Sequence, residues 1–198
     1  MNGVNEVDAR IAYKAGELFH EHGITATGVE ALSKAAGISK RTLYERFGSK
    51  DGLIAAAFDV RDVPVFERYT EPAERAAATP RGQLKQLFAE LEATIRSPEF
   101  RGCPFTSASS ELADPGHPAH PVIRRHKARL HRWMLARARS AGAADPAKLS
   151  RQLMIVFDGA LVQSLVQRSA RPARDARELA EALIDAALGP DQGSSSKD

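Results

Sequence analysis

Apolar residues recur every three or four positions along most of the chain. Ile11, Ala15 and Leu18 begin the pattern, and the same spacing returns in later stretches up to Ala187. This period is typical of helices that bury one face, and no stretch alternates apolar and polar residues as a half-buried strand would. The pattern therefore predicts an all-α protein.

Helix ends are predicted where capping or helix-breaking residues interrupt this pattern. Thr27 is expected to cap the second helix, with Glu30 completing a capping box, and Ser39 is expected to cap the third helix. Gly37 supplies a left-handed residue between these two helices. Pro64 should kink or interrupt the fourth helix, because proline removes a backbone donor and clashes with the preceding turn.

The most informative stretch runs from Thr27 to Lys50, where two short helices flank a glycine turn. Such a pair makes a helix-turn-helix unit, whose second helix can enter the major groove of DNA. With Leu43 and Phe47 directed inward, the outward side carries cations, hydroxyls and one aromatic ring, and such groups bind phosphates and base edges. The outward residues are Lys40, Arg41, Thr42, Tyr44 and Arg46.

This stretch resembles the DNA-binding domain of the tetracycline-repressor (TetR) family. The resemblance covers Asp8 to about Phe58, whereas the rest of the chain matches only in helical layout. Arg41 and Arg46 depart from the usual residues of the family, which has a small residue or proline at the first position and His or Tyr at the second. The matching residues are Thr27-Gly28, Ala36-Gly37-Ile38-Ser39, Thr42, Tyr44, Phe47 and Lys50.

The resemblance implies a DNA-binding transcriptional regulator, a repressor in the simplest case. It implies a homodimer that binds a palindromic operator in double-stranded DNA and is released by a small-molecule effector bound in the C-terminal body. It also implies that Lys40 and Arg41 approach base edges. The residues that it assigns to phosphates are Thr27, Thr42, Tyr44 and Lys50. The full predicted DNA-contact set is Thr27, Gly28, Ser39, Lys40, Arg41, Thr42, Tyr44, Arg46 and Lys50.

The chain is long enough for a small head and a larger body. Residues 1–48 are predicted to form the helix-turn-helix DNA-binding domain, and residues 49–189 a helical ligand-binding and dimerisation domain. Gly189 is expected to stop the last helix, and residues 190–198, PDQGSSSKD, are predicted to be a disordered tail. We therefore expect two folded domains of unequal size.

The last two predicted helices favour self-association. The helix that begins at Pro146 is apolar nearly all round, and the helix from Ala173 to Leu188 carries many small residues. A body of this size covers one apolar side comfortably, so a four-helix bundle with a second copy is expected, and a buried monomer core is the alternative. The predicted interface residues are Leu153, Phe157, Ala160, Leu161, Ser164, Leu165, Leu179, Leu183 and Ile184.

An irregular stretch between residues 97 and 121 is crowded with Pro, Gly and Ser and interrupts the helical body. Irregular segments inside a helical body tend to shape cavities, and a pocket among helices four to eight is therefore predicted. Its apolar and aromatic side chains imply an apolar or aromatic effector, and no cofactor is expected. The predicted lining residues are Phe66, Phe88, Leu91, Phe105, Trp133, Met134 and Phe157.

Composition narrows the cellular context. The net charge of +3 and the isoelectric point of about 9.2 are only mildly basic, so any nucleic-acid binding must be confined to a local patch. The stretch from Lys34 to Lys50 contains five cations and one acid, which places positive charge at the predicted DNA-reading side. A single cysteine excludes an internal disulfide and fits a reducing compartment. No run approaches the apolar length of a membrane span and no secretion signal is visible, so a cytoplasmic protein without a membrane partner is expected.

Other chemistry has weaker signals. The histidines at positions 117, 120, 126 and 131 lack a thiolate or carboxylate that completes a ligand set, and no nucleophile elbow surrounds the serines, so neither a metal site nor catalytic residues are predicted. Cys103 precedes Pro104, a natural first helical residue, where a thiolate would be stabilised. Two alternatives to the regulator stay open. One is a dimeric ligand-binding or interaction module without specific DNA reading, and the other is a thiol-based redox-sensing regulator that uses Cys103.

Overall fold

The computed structural model describes residues 5–189, which contain nine α-helices and no strand. The all-α prediction is confirmed. The predicted tail at 190–198 lies outside the described residues. The helices are α1 Glu6–His22, α2 Val29–Ala36, α3 Lys40–Phe47, α4 Lys50–Ala76, α5 Pro80–Arg96, α6 Pro104–Glu111, α7 Ala119–Ser140, α8 Pro146–Gln167 and α9 Arg171–Leu188.

The described chain divides into two compact units. The first unit takes the residues up to Phe66 together with Cys103–Lys127, and the second takes Glu67–Gly102 together with the residues from Ala128 onward. The first unit therefore contains α1 to α3, α6 and the N-terminal parts of α4 and α7. The domain boundary predicted at residue 48 stays a prediction.

Helices α1 to α3 pack into a small three-helix head in the first unit. α2 contacts both α1 and α3. Ile11, Phe19, Leu32 and Leu43 are each less than 5% exposed and form the centre of the head. Ile11 and Phe19 lie eight residues apart on one side of α1, and α2 and α3 contribute one leucine each, so the hydrophobic effect sets the face that each helix presents to the others.

The predicted capping box at the start of α2 is wrong. Gly28 is the N-terminal cap residue, and α2 has no side-chain cap. The Thr27 hydroxyl instead donates a hydrogen bond to the Gly23 carbonyl oxygen at 2.6 Å, and Thr27 is only 3% exposed. Glu30 pairs with Lys40 rather than with the Thr27 amide. The threonine therefore stabilises the turn before α2 from inside the head, because its buried hydroxyl needs a local partner.

Helix α4 continues without a break past Pro64 to Ala76, so the predicted interruption at Pro64 is wrong. Ser49 accepts a hydrogen bond from the Gly52 amide at 2.9 Å, as expected for a cap. Val65, Tyr69 and Ala73 are all buried and lie four residues apart on one face. Burial of this face after the proline favours continuing the helix despite one lost backbone hydrogen bond.

The second unit is built on α5, α8 and α9, which contact one another. The Phe157 ring of α8 lies edge-on to Phe88 of α5, with 6.0 Å between centroids, and edge-on to Tyr69 at 5.2 Å. Asp185 of α9 accepts hydrogen bonds from Arg81 at 2.7 Å and from Lys85 at 3.0 Å. Aromatic packing and these ion pairs together fix α5 against its neighbours.

Helix α8 is apolar on two sides, as predicted. Leu153 and Phe157 are buried in the second unit, whereas Ile155 and Val166 are each 74% exposed. By length and composition, α8 is also the one helix of the described chain that is apolar enough to cross a membrane, contrary to the expectation that no segment reaches this limit. The exposed apolar residues and the high hydropathy of α8 have the same cause. The helix carries a second apolar side that is not buried in the core of this chain.

Candidate nucleic-acid interface

Helix α3 is held rigidly within the head while its polar side stays open. Ser39 Oγ accepts a hydrogen bond from the Thr42 amide at 3.0 Å, which confirms the predicted cap. Gly37 has φ of 66°, a left-handed conformation that glycine adopts without steric cost, and it turns the chain from α2 into α3. Leu43 is fully buried. The exposed residues of the predicted contact set on α3 are Lys40, Arg41, Tyr44 and Arg46.

Each cation on this exposed side has an acidic neighbour. Arg41 Nε donates to Glu45 Oε1 at 2.8 Å, and 87% of the Arg41 side chain is exposed. Lys40 pairs with Glu30 and lowers the pKa of the Glu30 carboxyl through its hydrogen bond and its charge. Arg46 pairs with Asp8 of α1. Exposed ion pairs contribute little to stability, so phosphates can replace these acids as partners at small cost.

The turn that leads into α2 is held from both sides. Lys50 Nζ donates to the Ile24 carbonyl oxygen at 2.9 Å. Glu111 Oε2, at the end of α6, accepts hydrogen bonds from the Ile24 amide at 2.7 Å and from the Thr25 amide at 3.1 Å. No local sequence signal marks the Glu111 contact, which spans 87 positions. Nor does the sequence show that Thr27 and Lys50, assigned to phosphates by resemblance, already have partners inside the protein.

Two family models match this chain. The model described as bacterial regulatory proteins of the tetR family matches residues 13–57, which include α2 and α3. The model described as the tetracyclin repressor-like C-terminal domain matches residues 119–190. A solved structure of a putative TetR transcriptional regulator from Streptomyces avermitilis is 34% identical, covers 92% of this chain and 98% of its own, and superposes with a TM-score of 0.82. The chain belongs to the TetR family.

Other TetR-type relatives agree with this assignment. The regulator YjdC of Escherichia coli is named an HTH-type transcriptional regulator and is 24% identical over 173 residues, which span 86% of this chain and 90% of YjdC. A TetR-family regulator from Streptomyces coelicolor is 26% identical, with a TM-score of 0.82 over 93% of this chain and 91% of its own. The chain is therefore a transcriptional regulator with an N-terminal DNA-binding helix-turn-helix and a C-terminal helical domain, as the sequence predicted.

The residues predicted to line the effector pocket do not all lie in the same unit. Phe105 and Phe66 belong to the first unit, where the Phe105 ring contacts Phe58 with 5.3 Å between centroids. Within the second unit, Trp133 Nε1 donates to Glu74 Oε1 at 2.6 Å. All seven except the half-buried Phe66 are buried. The pocket stays a prediction. Its second-unit residues are Phe88, Leu91, Trp133, Met134 and Phe157.

Most of the residues predicted for the dimer interface are enclosed by this chain. Leu165 and Leu179 are exposed, by 43% and 51%, and Leu183 is half-buried. The remaining six are buried, because they are on the side of α8 and α9 that builds the core of the second unit: Leu153, Phe157, Ala160, Leu161, Ser164 and Ile184. The apolar residues left accessible form what we call the α8–α9 face: Ile155, Val162, Leu165, Val166 and Leu179.

The histidines have individual roles rather than a shared one. His131 Nε2 lies 3.0 Å from the Ser150 hydroxyl, and His126 Nδ1 lies 3.0 Å from Asp62 Oδ1. His117 Nδ1 accepts a hydrogen bond from the Ala119 amide at 3.1 Å. Among residues 5–189, no group of three or more His, Cys, Asp or Glu side chains could hold a metal ion.

Proposed function

We propose that this TetR-family protein is a homodimeric repressor that binds a palindromic operator and is released by a small apolar or aromatic effector. The observation that carries the proposal is the open polar side of α3, where Arg41 is 87% exposed one residue after the start of the helix. An arginine at the N-terminal end of a recognition helix can bind guanine O6 and N7 through two hydrogen bonds. The Arg41–Glu45 contact uses Nε and the side chain is largely exposed, which leaves the terminal nitrogens available to a base.

The α8–α9 face supports the dimer. Its five large apolar side chains are 43 to 74% exposed, and an open groove of about 600 Å³ runs between Ile155 and Leu179. Gly159 and Ala176 also line this groove, and such small side chains let a neighbouring helix approach closely. Two copies joined at this face would carry two heads, which is what a palindromic operator requires. We propose that the dimer acts in the cytoplasm.

Selection of duplexes from a random pool tests the proposal. The purified dimer at physiological salt should enrich one inverted repeat, with half-sites about 34–36 Å apart along the duplex. It should bind this repeat well above a scrambled copy, and the salt must be fixed because phosphate contacts alone give nonspecific binding. Equal binding to both duplexes would favour a ligand-binding or interaction module without specific reading.

Arg41→Ala should weaken binding to the selected operator by about 1–3 kcal/mol, or roughly 5- to 150-fold, and relax the preference at one base pair of each half-site. The reason is the loss of a bidentate base contact. Fluorescence anisotropy on the operator and on single-base variants measures both effects.

Arg75→Ala is the matched control for Arg41→Ala. Arg75 pairs with Glu71 four residues away in α4, at 3.1 Å, and its side chain is 70% exposed. The two variants lose the same charge, so only a local contact can distinguish them. Equal affinities of the two variants, or an unchanged base preference in Arg41→Ala, would contradict the role of Arg41.

A further inference from the structure

Cys103 lies in a buried cluster of reactive side chains in the first unit. It is the N-terminal cap residue of α6 and is 8% exposed. The thiol hydrogen-bonds with His126 of α7, and Lys127 Nζ lies 3.7 Å from Cys103 Sγ. His126 in turn contacts the buried Asp62 carboxylate of α4 through Nδ1 at 3.0 Å, and both residues are less than 5% exposed. Cys103, His126 and Asp62 thus form a linked set of nucleophile, base and orienting carboxylate. The Lys127 cation lies beside the sulfur.

The geometry assigns a role to each partner. An ionised carboxylate only accepts hydrogen bonds, so Asp62 holds the proton on His126 Nδ1 and leaves Nε2 to take the thiol proton. The Phe105 ring stacks on the imidazole at 3.7 Å between centroids and fixes its plane. Burial raises the pKa of the Cys103 thiol, but His126, the Lys127 charge and Thr106 outweigh burial and lower it to about 7.

Thr106, three residues after Cys103, also acts on the sulfur. Its backbone amide and its hydroxyl both hydrogen-bond with Cys103 and lower the pKa of the thiol. Groups of α6 and α7 therefore stabilise a thiolate at this position together.

We infer that Cys103 is a covalent sensing site for small α,β-unsaturated carbonyl compounds, and that its modification releases the repressor from DNA. This inference rests on the proposed function. The Cys103 thiol proton moves to His126, and the sulfur then forms a bond to the β-carbon of the reagent. The carbon–carbon π bond breaks, its electron pair moves toward the carbonyl oxygen, and the α-carbon takes the proton back from His126. The addition is redox-neutral and needs no other reactant.

Carbon electrophiles fit this site better than oxidants do. Cys103 is the single cysteine of the chain, so an oxidised sulfur has no second thiol in the chain to form a disulfide. Addition to a carbon–carbon double bond needs one thiol and gives a stable product. With 8% of Cys103 exposed, a small reagent has better access than a bulky one.

Helix α6 connects the cluster to the DNA-binding head. It is eight residues long, about 12 Å, with Cys103 before its first residue and Glu111 at its last. Glu111 accepts the hydrogen bonds from the Ile24 and Thr25 amides that hold the turn before α2. A group added at Cys103 has to displace neighbours packed at its end of α6, because a closely packed site has little free space. A shift of α6 would pull Glu111 away from that turn and loosen the head.

The test uses methyl vinyl ketone with the full-length dimer. Intact-mass spectrometry should show one addition at Cys103 and none in Cys103→Ser. The alkylation rate should rise through about pH 7 and level off above it, since thiolate forms above the lowered pKa, whereas an ordinary thiol would still be rising at pH 8. His126→Asn should move this inflection upward. Modification should weaken operator binding by about 5- to 150-fold.

Glu111→Ala separates the reaction from its consequence. It should be alkylated at the wild-type rate, yet its operator affinity should be the same with and without the adduct.

A native protein that resists alkylation while the urea-unfolded chain reacts would overturn the site, as would an inflection near pH 8.5. Full alkylation with unchanged operator affinity would overturn the sensing role, and so would disulfide-linked dimers formed in place of the adduct. If no duplex is bound specifically, the proposed function fails, whereas the mass and pH measurements still decide the reactive site.

Discussion

Ile155→Asp combined with Val166→Asp should convert the protein to monomers and lower operator affinity by a factor of about 10²–10⁴. Both side chains are 74% exposed in a single chain, so two carboxylates there remain hydrated and leave the monomer folded. Burying them in an interface without partners would cost several kcal/mol, roughly, for each charge. In a monomer, the two half-sites of the operator are bound by separate molecules, so the gain in affinity from two linked heads is lost. Sedimentation equilibrium and operator titration measure the two effects.

Val63→Asp is the control for this double variant. Val63 is 40% exposed on α4, in the first unit, and the substitution introduces the same kind of charge at a residue that does not belong to the α8–α9 face. It should remain dimeric and bind the operator like the wild type. A double variant that stays dimeric at micromolar concentration would show that another surface joins the subunits.

Leu43→Ala should lower the free energy of unfolding of the head by about 2–5 kcal/mol. Operator binding should be lost as the temperature approaches the point at which the variant head unfolds. Leu43 is fully buried and is the contact through which α3 packs on the rest of the head. Its truncation leaves a cavity in a core of few residues, where neighbours have little freedom to fill it. Urea denaturation followed by circular dichroism, in parallel with operator titration, measures both losses.

Glu45→Ala provides the comparison on the same helix. Glu45 is exposed and Ala favours helix formation, so the unfolding free energy should change by about 0.5 kcal/mol or less. If Leu43→Ala unfolds no more easily than Glu45→Ala, Leu43 is not the residue that packs α3 onto the rest of the head. Residual operator binding at low temperature is expected for Leu43→Ala, because this variant keeps every side chain of the proposed DNA-contact set.

Local sequence signals predicted the helices and the exposed set on α3. Ser39 caps α3 as expected, and Gly37 adopts the left-handed conformation that ends α2. These features depend on residues within one or two turns of each other, where spacing and hydrogen-bonding capacity decide the conformation. The resemblance to the TetR family rested on the same local residues, and the family models confirm it.

The contacts between distant residues are visible only in the tertiary structure. The Asp62–His126 pair joins residues 64 positions apart, and the Glu111 contact with Ile24 joins residues 87 positions apart. Nor does the sequence show that Glu30 lies beside Lys40, or which apolar side of α8 this chain covers. Periodicity states which residues share a face of a helix, whereas the neighbour of that face depends on how all the helices pack. The sequence by itself determined the helices, the family and the outward residues of α3. The tertiary packing decided the partners of Cys103, the hydrogen bonds that hold the turn before α2 and the apolar side of α8 and α9 that stays exposed.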